Sequence, residues 1–231
     1  MNYIVIDLEF NQNFDFKEGS RAPSNPLMPL EIIQIGAVKL NKNMEIVDKF
    51  GTMVAPRLYR KLNPFVARVT GLSNRILRMS PPFHVAYRGL QRFIGRSPNT
   101  VLCFWGNDDI KELFRNALFY KLNAEGMPKK YINVQRMASV YLEAPASQQM
   151  ALRTVVETLE IEAHMPFHNA VDDALYTAHV FTRIFKVNGV DEVPIHFDLE
   201  KLKARNAEIV IKAEEAARAE AEAEEAARAE L

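Results

Sequence analysis

The stretch YIVIDLEF, residues 3–10, joins six apolar side chains to two acids placed two positions apart. A short β-branched apolar run of this kind reads as a buried strand. Side chains alternate across a strand, so Asp7 and Glu9 project from the same face of the sheet. Desolvating one carboxylate is costly, and a second beside it adds repulsion, so a buried strand carries such a pair only where something neutralises it. A metal cation is the obvious neutraliser.

Outward from this strand, PLEIIQIGAVKL (29–40) and MEIVDKFGTMVAP (44–56) read as two further strands, after a loop rich in Pro, Asn and Ser from Asn11 to Pro29. Helices are expected from about Pro64 to Thr70, ended by Gly71, and after Ser80-Pro81-Pro82 to about Ile94. VLCFWG (101–106) is a fourth strand, with a helix from Asp108 to about Leu122 behind it. YINVQ (131–135) is a fifth, followed by helical periodicity over Gln148–Leu159 and a last core helix from about Asn169 to Phe185. Three consecutive strands followed by strands alternating with helices imply an α/β domain with a mixed sheet of about five strands and helices on both faces. The expected divisions are a domain over 1–190, a linker over 191–199 and an Ala/Glu/Arg-rich helical or frayed tail over 200–231. In that tail EEAARAE occurs at 214–220 and again at 224–230. The tail favours helix but has no sustained apolar seam, and its exposed helix offers a surface for a protein partner.

The chain has 231 residues, 48% hydrophobic and 25% charged, enough for one domain with a substantial core. Its single cysteine, Cys103, rules out an internal disulfide and an all-cysteine zinc site. Neither a signal peptide nor a long apolar span is visible, so the expected compartment is cytoplasmic, away from membranes. The net charge of zero hides an asymmetry: from Phe50 to Asn107 there is no acid, while Lys61 and eight arginines, among them Arg57, Arg60, Arg75, Arg88, Arg92 and Arg96, supply nine positive charges. Phosphate is the natural partner of such a segment.

Two more acidic clusters accompany the first. WGNDDIKELF (105–114) runs from strand into helix, a junction that places side chains where sites in α/β sheets form. Ile110, Leu113, Phe114, Ala117 and Leu118 define the buried stripe, and Asp109 lies nearer to it than Asp108, which is the alternative. In PFHNAVDDALYTAHVF (166–181), His168 precedes Asp173 by five residues. On one continuous helix the two would point about 140° apart, so His168 belongs to the lead-in loop. Asp173 shares a stripe with Ala170, Thr177 and Val180, whereas Asp172 lies about 100° away.

Taken together, DLEF, WGNDD and HNAVDDA form an ordered set that resembles the three motifs of the DnaQ-like DEDDh 3′-5′ exonuclease superfamily, which has an RNase H-like fold. EIIQIGAV and the TGL at 70–72 also resemble family segments, and the likeness covers about residues 1–187. The style of the second motif is closest to KapD- and ERI-like RNA-trimming members. After the first motif, Phe10-Asn11-Gln12 departs from the Thr-Thr-Gly of proofreading members. The resemblance implies that Asp7, Glu9, Asp109 and Asp173 are catalytic ligands for two Mg²⁺ or Mn²⁺ ions, and that His168 is the general base. It implies hydrolysis of single-stranded RNA or DNA from the 3′ end to 5′-mononucleotides, RNA somewhat preferred. Leu8 and Phe10 are its candidates for contact with the terminal nucleotide; the basic segment supplies Arg57, Arg60 and Arg75 as candidates for contact with phosphates. The competing class is a catalytically weak RNA- or DNA-binding protein on the same fold; filled positions at all five catalytic residues argue against it.

Overall fold

Alternation along the first strand sorts the interior into two cores. In β1 (Asn2–Asn11) Ile4, Ile6 and Leu8 enter one buried cluster, while Tyr3 and Val5 enter the other. The computed structural model describes residues 2–20, 22–145, 148–188 and 194–229. β2 (Glu31–Leu40) and β3 (Ile46–Met53) form an antiparallel meander with β1. β4 (Thr100–Phe104) runs parallel to β1 on its other side, and β5 (Lys130–Asn133) runs parallel to β4. The six-stranded order is β3-β2-β1-β4-β5-β6. β6 (Ile195–His196) is antiparallel to β5 and comes from the stretch read as a linker. Residues 191–193 of that stretch lie outside the described residues.

Helices cover both faces. α1 (Pro64–Thr70) and α2 (Asn74–Arg78) are short connectors. Against the Ile4 face pack α3 (Phe83–Ile94) and α4 (Asp108–Phe119), through side chains such as Leu90, Leu113 and Phe114, none of which is solvent-exposed. Burying each contributes about 1.5–3 kcal/mol. On the Val5 face lie α5 (Val134–Tyr141), α6 (Leu152–Thr158) and α7 (Ala170–Asn188).

Three local outcomes depart from the sequence reading. YINVQ ends as a strand at Asn133, whose side chain accepts from Arg136 N and starts α5 instead. The signal was present as a capping residue followed by Val134, Met137 and Ala138, all buried, at helical spacing. α2, capped by Ser73, was too short to leave a periodic trace. The tail is a continuous helix, α8 (Leu199–Ala229), and it is attached: Leu199 and Leu202 join the Ile4 core, and Phe197 stacks on Phe114 with ring centroids 4.7 Å apart. None of the helices among the described residues is long and apolar enough to cross a membrane.

Candidate active site

At β1 the sheet changes from an antiparallel neighbour, β2, to a parallel one, β4. Parallel strands end at the same edge, so the carboxyl end of β1, with Asp7 and Glu9, lies beside the exit of β4 into Trp105-Gly106-Asn107 and α4. Asn107 accepts hydrogen bonds from Tyr131 Oη (3.2 Å) and Asn133 Nδ2 (3.0 Å), which ties the start of α4 to β5. A bulge between Glu9 and Phe10, where β2 carries the extra residue Ile33, bends the ladder at this edge.

The third segment arrives by a close backbone approach. Gly36 pairs with Asp7 across the β1–β2 ladder, and a Cβ added to it would lie 2.0 Å from the Ala170 carbonyl oxygen. The first turn of α7 therefore rests directly on β2. Gln34 Oε1 accepts from Ala170 N at 3.3 Å and fixes the same turn from below. Asn169 Oδ1 accepts from Val171 N, and Asp173 Oδ2 accepts from His168 N at 2.8 Å. That second bond holds His168 at φ +70°, a left-handed backbone that a residue with a Cβ rarely adopts. The result is an exposed imidazole beside the acids: ligand atoms of Glu9, His168 and Asp173 lie within 4.8 Å of one another.

The carboxylates act on one another. Burial, then the charges of Asp109, Asp173 and Glu9, push the Asp7 carboxyl well above the usual carboxylate range. Glu9 is pushed up to about 7, by burial and then by Asp173. Burial and the charge of Glu9 raise Asp109, against a hydrogen bond from the Leu8 backbone N–H that lowers it. Asp173, 7% exposed, is raised by burial, with the His168 N–H working the other way. Its Oδ1 is buried without a hydrogen-bond partner among the described residues. Four mutually repelling carboxylates with an orphaned acceptor oxygen fit a hard divalent cation, which takes oxygen ligands and removes the repulsion.

Within the paired acids of each helix, geometry separates the members. Asp108 has its side chain 85% exposed and pairs with Lys111 at 3.4 Å, whereas Asp109 is half-buried within the cluster. Ala170, Asp173, Thr177 and Val180 are all buried, as the stripe required, and Asp172 is half-buried outside the cluster.

The expected substrate contacts fare differently. Leu8 is 4% exposed in the Ile4 core, because the alternation that aligns Asp7 with Glu9 sends it to the opposite face. It is a core residue. Phe10 is packed partly buried against the same core. The basic segment is not one track. Arg57, Arg60 and Lys61 ride on a loop that Asn11 draws to the site end of β1, its Nδ2 donating to Tyr59 O (2.8 Å) and Lys61 O (3.0 Å). Glu31 anchors that loop further, accepting from the N–H groups of Arg57, Leu58 and Tyr59 and from the Tyr120 hydroxyl. Arg75 is exposed on α2. Arg88, Arg92 and Arg96 line a surface with Asn123 and Gly126, beside the loop leading into the amino end of β4, away from the acids. Tyr59, Phe83 and Tyr87 are buried, and Phe65 is 58% exposed. One cation escaped the sequence reading: Arg153 of α6 stacks on Phe167 at 4.6 Å, and its charge reaches Asp173. A single arginine in a helical stretch carries no positional signal.

The family model for exonucleases matches residues 4–181. A PolC-type DNA polymerase III from Thermotoga petrophila is 26% identical over 193 residues, which is 79% of this chain and 13% of the polymerase. The chain thus spans about an eighth of that relative's length. Among solved structures, the nuclease domain of 3′hExo, a DEDDh family member bound to rAMP, superposes with a TM-score of 0.68 at 21% identity, covering 81% of this chain and 92% of that one. A 3′-exonuclease in specific recognition of the 3′ end of the histone mRNA stem-loop gives the same score and identity over 81% and 82%. The match along three quarters of the chain, on a mixed sheet whose motif acids meet at one edge, means that this protein belongs to the exonuclease family and has the fold of the DEDDh 3′-exonucleases.

Proposed function

We propose that this protein is a divalent-metal-dependent 3′-to-5′ exonuclease acting on single-stranded nucleic acid, with RNA preferred. The observation that carries the reading is the meeting of Asp7, Glu9, Asp109 and Asp173 with His168, from three distant segments, at one sheet edge. Asp7, Glu9, Asp109 and Asp173 would hold two Mg²⁺ or Mn²⁺ ions, since an all-oxygen ligand set selects hard cations. Such ions supply charge neutralisation at the scissile phosphate and its leaving oxygen. His168, exposed on its loop, takes a proton from the attacking water, and the product is a 5′-mononucleotide. On this reading Arg153, beside Asp173, and the loop of Arg57 and Arg60 would meet phosphate oxygens. RNA is favoured because two of the similar structures are described with rAMP and with an mRNA stem-loop.

Matched RNA and DNA oligomers, labelled at either end and incubated with Mg²⁺, Mn²⁺ or chelator, test the reading. Shortening from the 3′ end that chelator stops is the expected result; endonucleolytic fragments, or trimming in chelator, would overturn it. His168→Ala is expected to lower kcat by about 10²–10⁴-fold. It should leave the metal-induced rise in melting temperature intact, and loss of that rise would mean the imidazole serves as a ligand instead. Asp109→Asn should cost about 10³-fold in kcat/KM, the several kcal/mol that a metal contributes. Asp108→Asn, exposed and outside the cluster, should stay within about twofold of the parent, as surface changes ordinarily do. Equal losses in the two variants would undo the assignment of Asp109.

A further inference from the structure

On the outer face of α4 the tail helix builds a second charged site. Lys111 and Arg115 of α4 face Arg205, Glu208 and Lys212 of α8 across an open pocket of about 520 Å³, bordered by the loop at Pro26 and Pro29. On each helix the residues follow helical spacing, 111 and 115 on one, 205, 208 and 212 on the other, so each helix presents one charged stripe. The lining therefore has four cations against the single acid Glu208.

The acids nearby do not balance it. Arg115, 5% exposed, gives Nη1 to Glu112 at 2.6 Å; among the described residues its buried Nε has no acceptor, and the buried Oε2 of Glu112 has no donor. Lys111 is 3.4 Å from Asp108 and 3.8 Å from Glu112. Among the described residues, Arg205 and Lys212 have no ion-pair partner. A buried donor without an acceptor is unfavourable, and cations facing one another across a cleft repel unless an anion lies between them. Clustered Arg and Lys donors are matched by the several oxygens of a phosphate.

We propose that this pocket binds a phosphate group. Two sources share that chemistry: a phosphodiester of the strand being trimmed, or a free phosphate ion. Asp109 and Arg115 lie on the same helix, six residues apart, which is roughly 9 Å of rise and about 120° of rotation, so a strand seated at the acids meets this pocket only by passing round α4. Only the strand source rests on the exonuclease reading; the site itself does not.

The test uses the full chain in chelator, so that no turnover intervenes. Inorganic phosphate is titrated by calorimetry, and a 5′-labelled RNA dodecamer and dinucleotide by fluorescence anisotropy. Arg205 and Lys212 are exposed, so the double variant R205S/K212S keeps the core. It is expected to weaken binding about tenfold, and E208Q to strengthen it by a few-fold. Weakening confined to the dodecamer, with a shallower salt dependence, supports the site and assigns it to the strand. Weakening confined to inorganic phosphate supports it as a free-ion site. Unchanged affinity for inorganic phosphate, dodecamer and dinucleotide in both variants overturns the proposal, whatever the trimming assay reports.

Discussion

Asp7→Asn is expected to abolish 3′ trimming while raising the melting temperature of the metal-free protein. Both effects come from the same crowding. In the absence of a cation, the carboxylate of Asp7 suffers burial and the charges of Asp109, Asp173 and Glu9, and its pKa is raised accordingly. A carboxyl whose folded pKa lies above its unfolded one holds more protons in the native state, so stability falls as pH rises through that window. For Glu9 the window runs from the ordinary 4.5 to about 7. The metal-free parent should therefore lose stability from about pH 4.5 upward, and the Asp7→Asn variant, whose amide carries no charge at any pH, should recover part of that loss near pH 8. Added Mn²⁺ reverses the order. It binds the deprotonated parent cluster, so the parent gains stability with metal concentration while the variant gains little. Activity should fall by at least about 10³-fold, since ligand loss removes several kcal/mol of transition-state stabilisation. Thermal melts with and without Mn²⁺ at pH 5 and pH 8, beside a trimming assay, check all three statements. A variant that melts lower than the parent in chelator at pH 8 would contradict the electrostatic account.

Gly36→Ala should be the most damaging single methyl group in the protein. Its Cβ would stand 2.0 Å from the Ala170 carbonyl oxygen, 2.1 Å from its carbon and 2.4 Å from Val171 N, all backbone. No rotamer change relieves such contacts. Either the variant loses about 1–3 kcal/mol or more through overpacking, or the first turn of α7 lifts from the sheet and carries His168 and Asp173 with it. In both cases kcat falls, because a misplacement near 1 Å can cost about 10²-fold. Gly51, paired with Gly36 on β3, supplies the control. A Cβ there meets Val171 Cγ2 at 2.5 Å, a side-chain atom. Gly51→Ala should be milder and should be relieved by Val171→Ala, whereas Gly36→Ala should not. Urea melts and single-turnover rates of the two glycine variants, each alone and combined with Val171→Ala, distinguish these outcomes; a fully active, stable Gly36→Ala protein would refute the close-approach argument.

Whatever depends on short-range periodicity is legible along the chain. Alternation aligned Asp7 with Glu9 on one face. The helical stripe set Asp109 apart from Asp108 and Asp173 from Asp172, and the five-residue offset took His168 off the helix. The same alternation turns Leu8 away from its acidic neighbours into the opposite core, which outweighs its position in the motif as a reason to expect it at the nucleotide. Tertiary structure alone decided the rest. The bulge beside Glu9, the seating of α7 on Gly36, the split of the basic segment between two ends of the sheet, and the arrival of Arg153 near Asp173 all join residues far apart in the chain. The same holds for the tail: Ala, Glu and Arg specify a helix, but nothing local says that Phe197, Leu199 and Leu202 fasten it to α4. Periodicity reports the face on which a side chain lies. Which other segment meets that face is set by packing, a property of the whole folded chain.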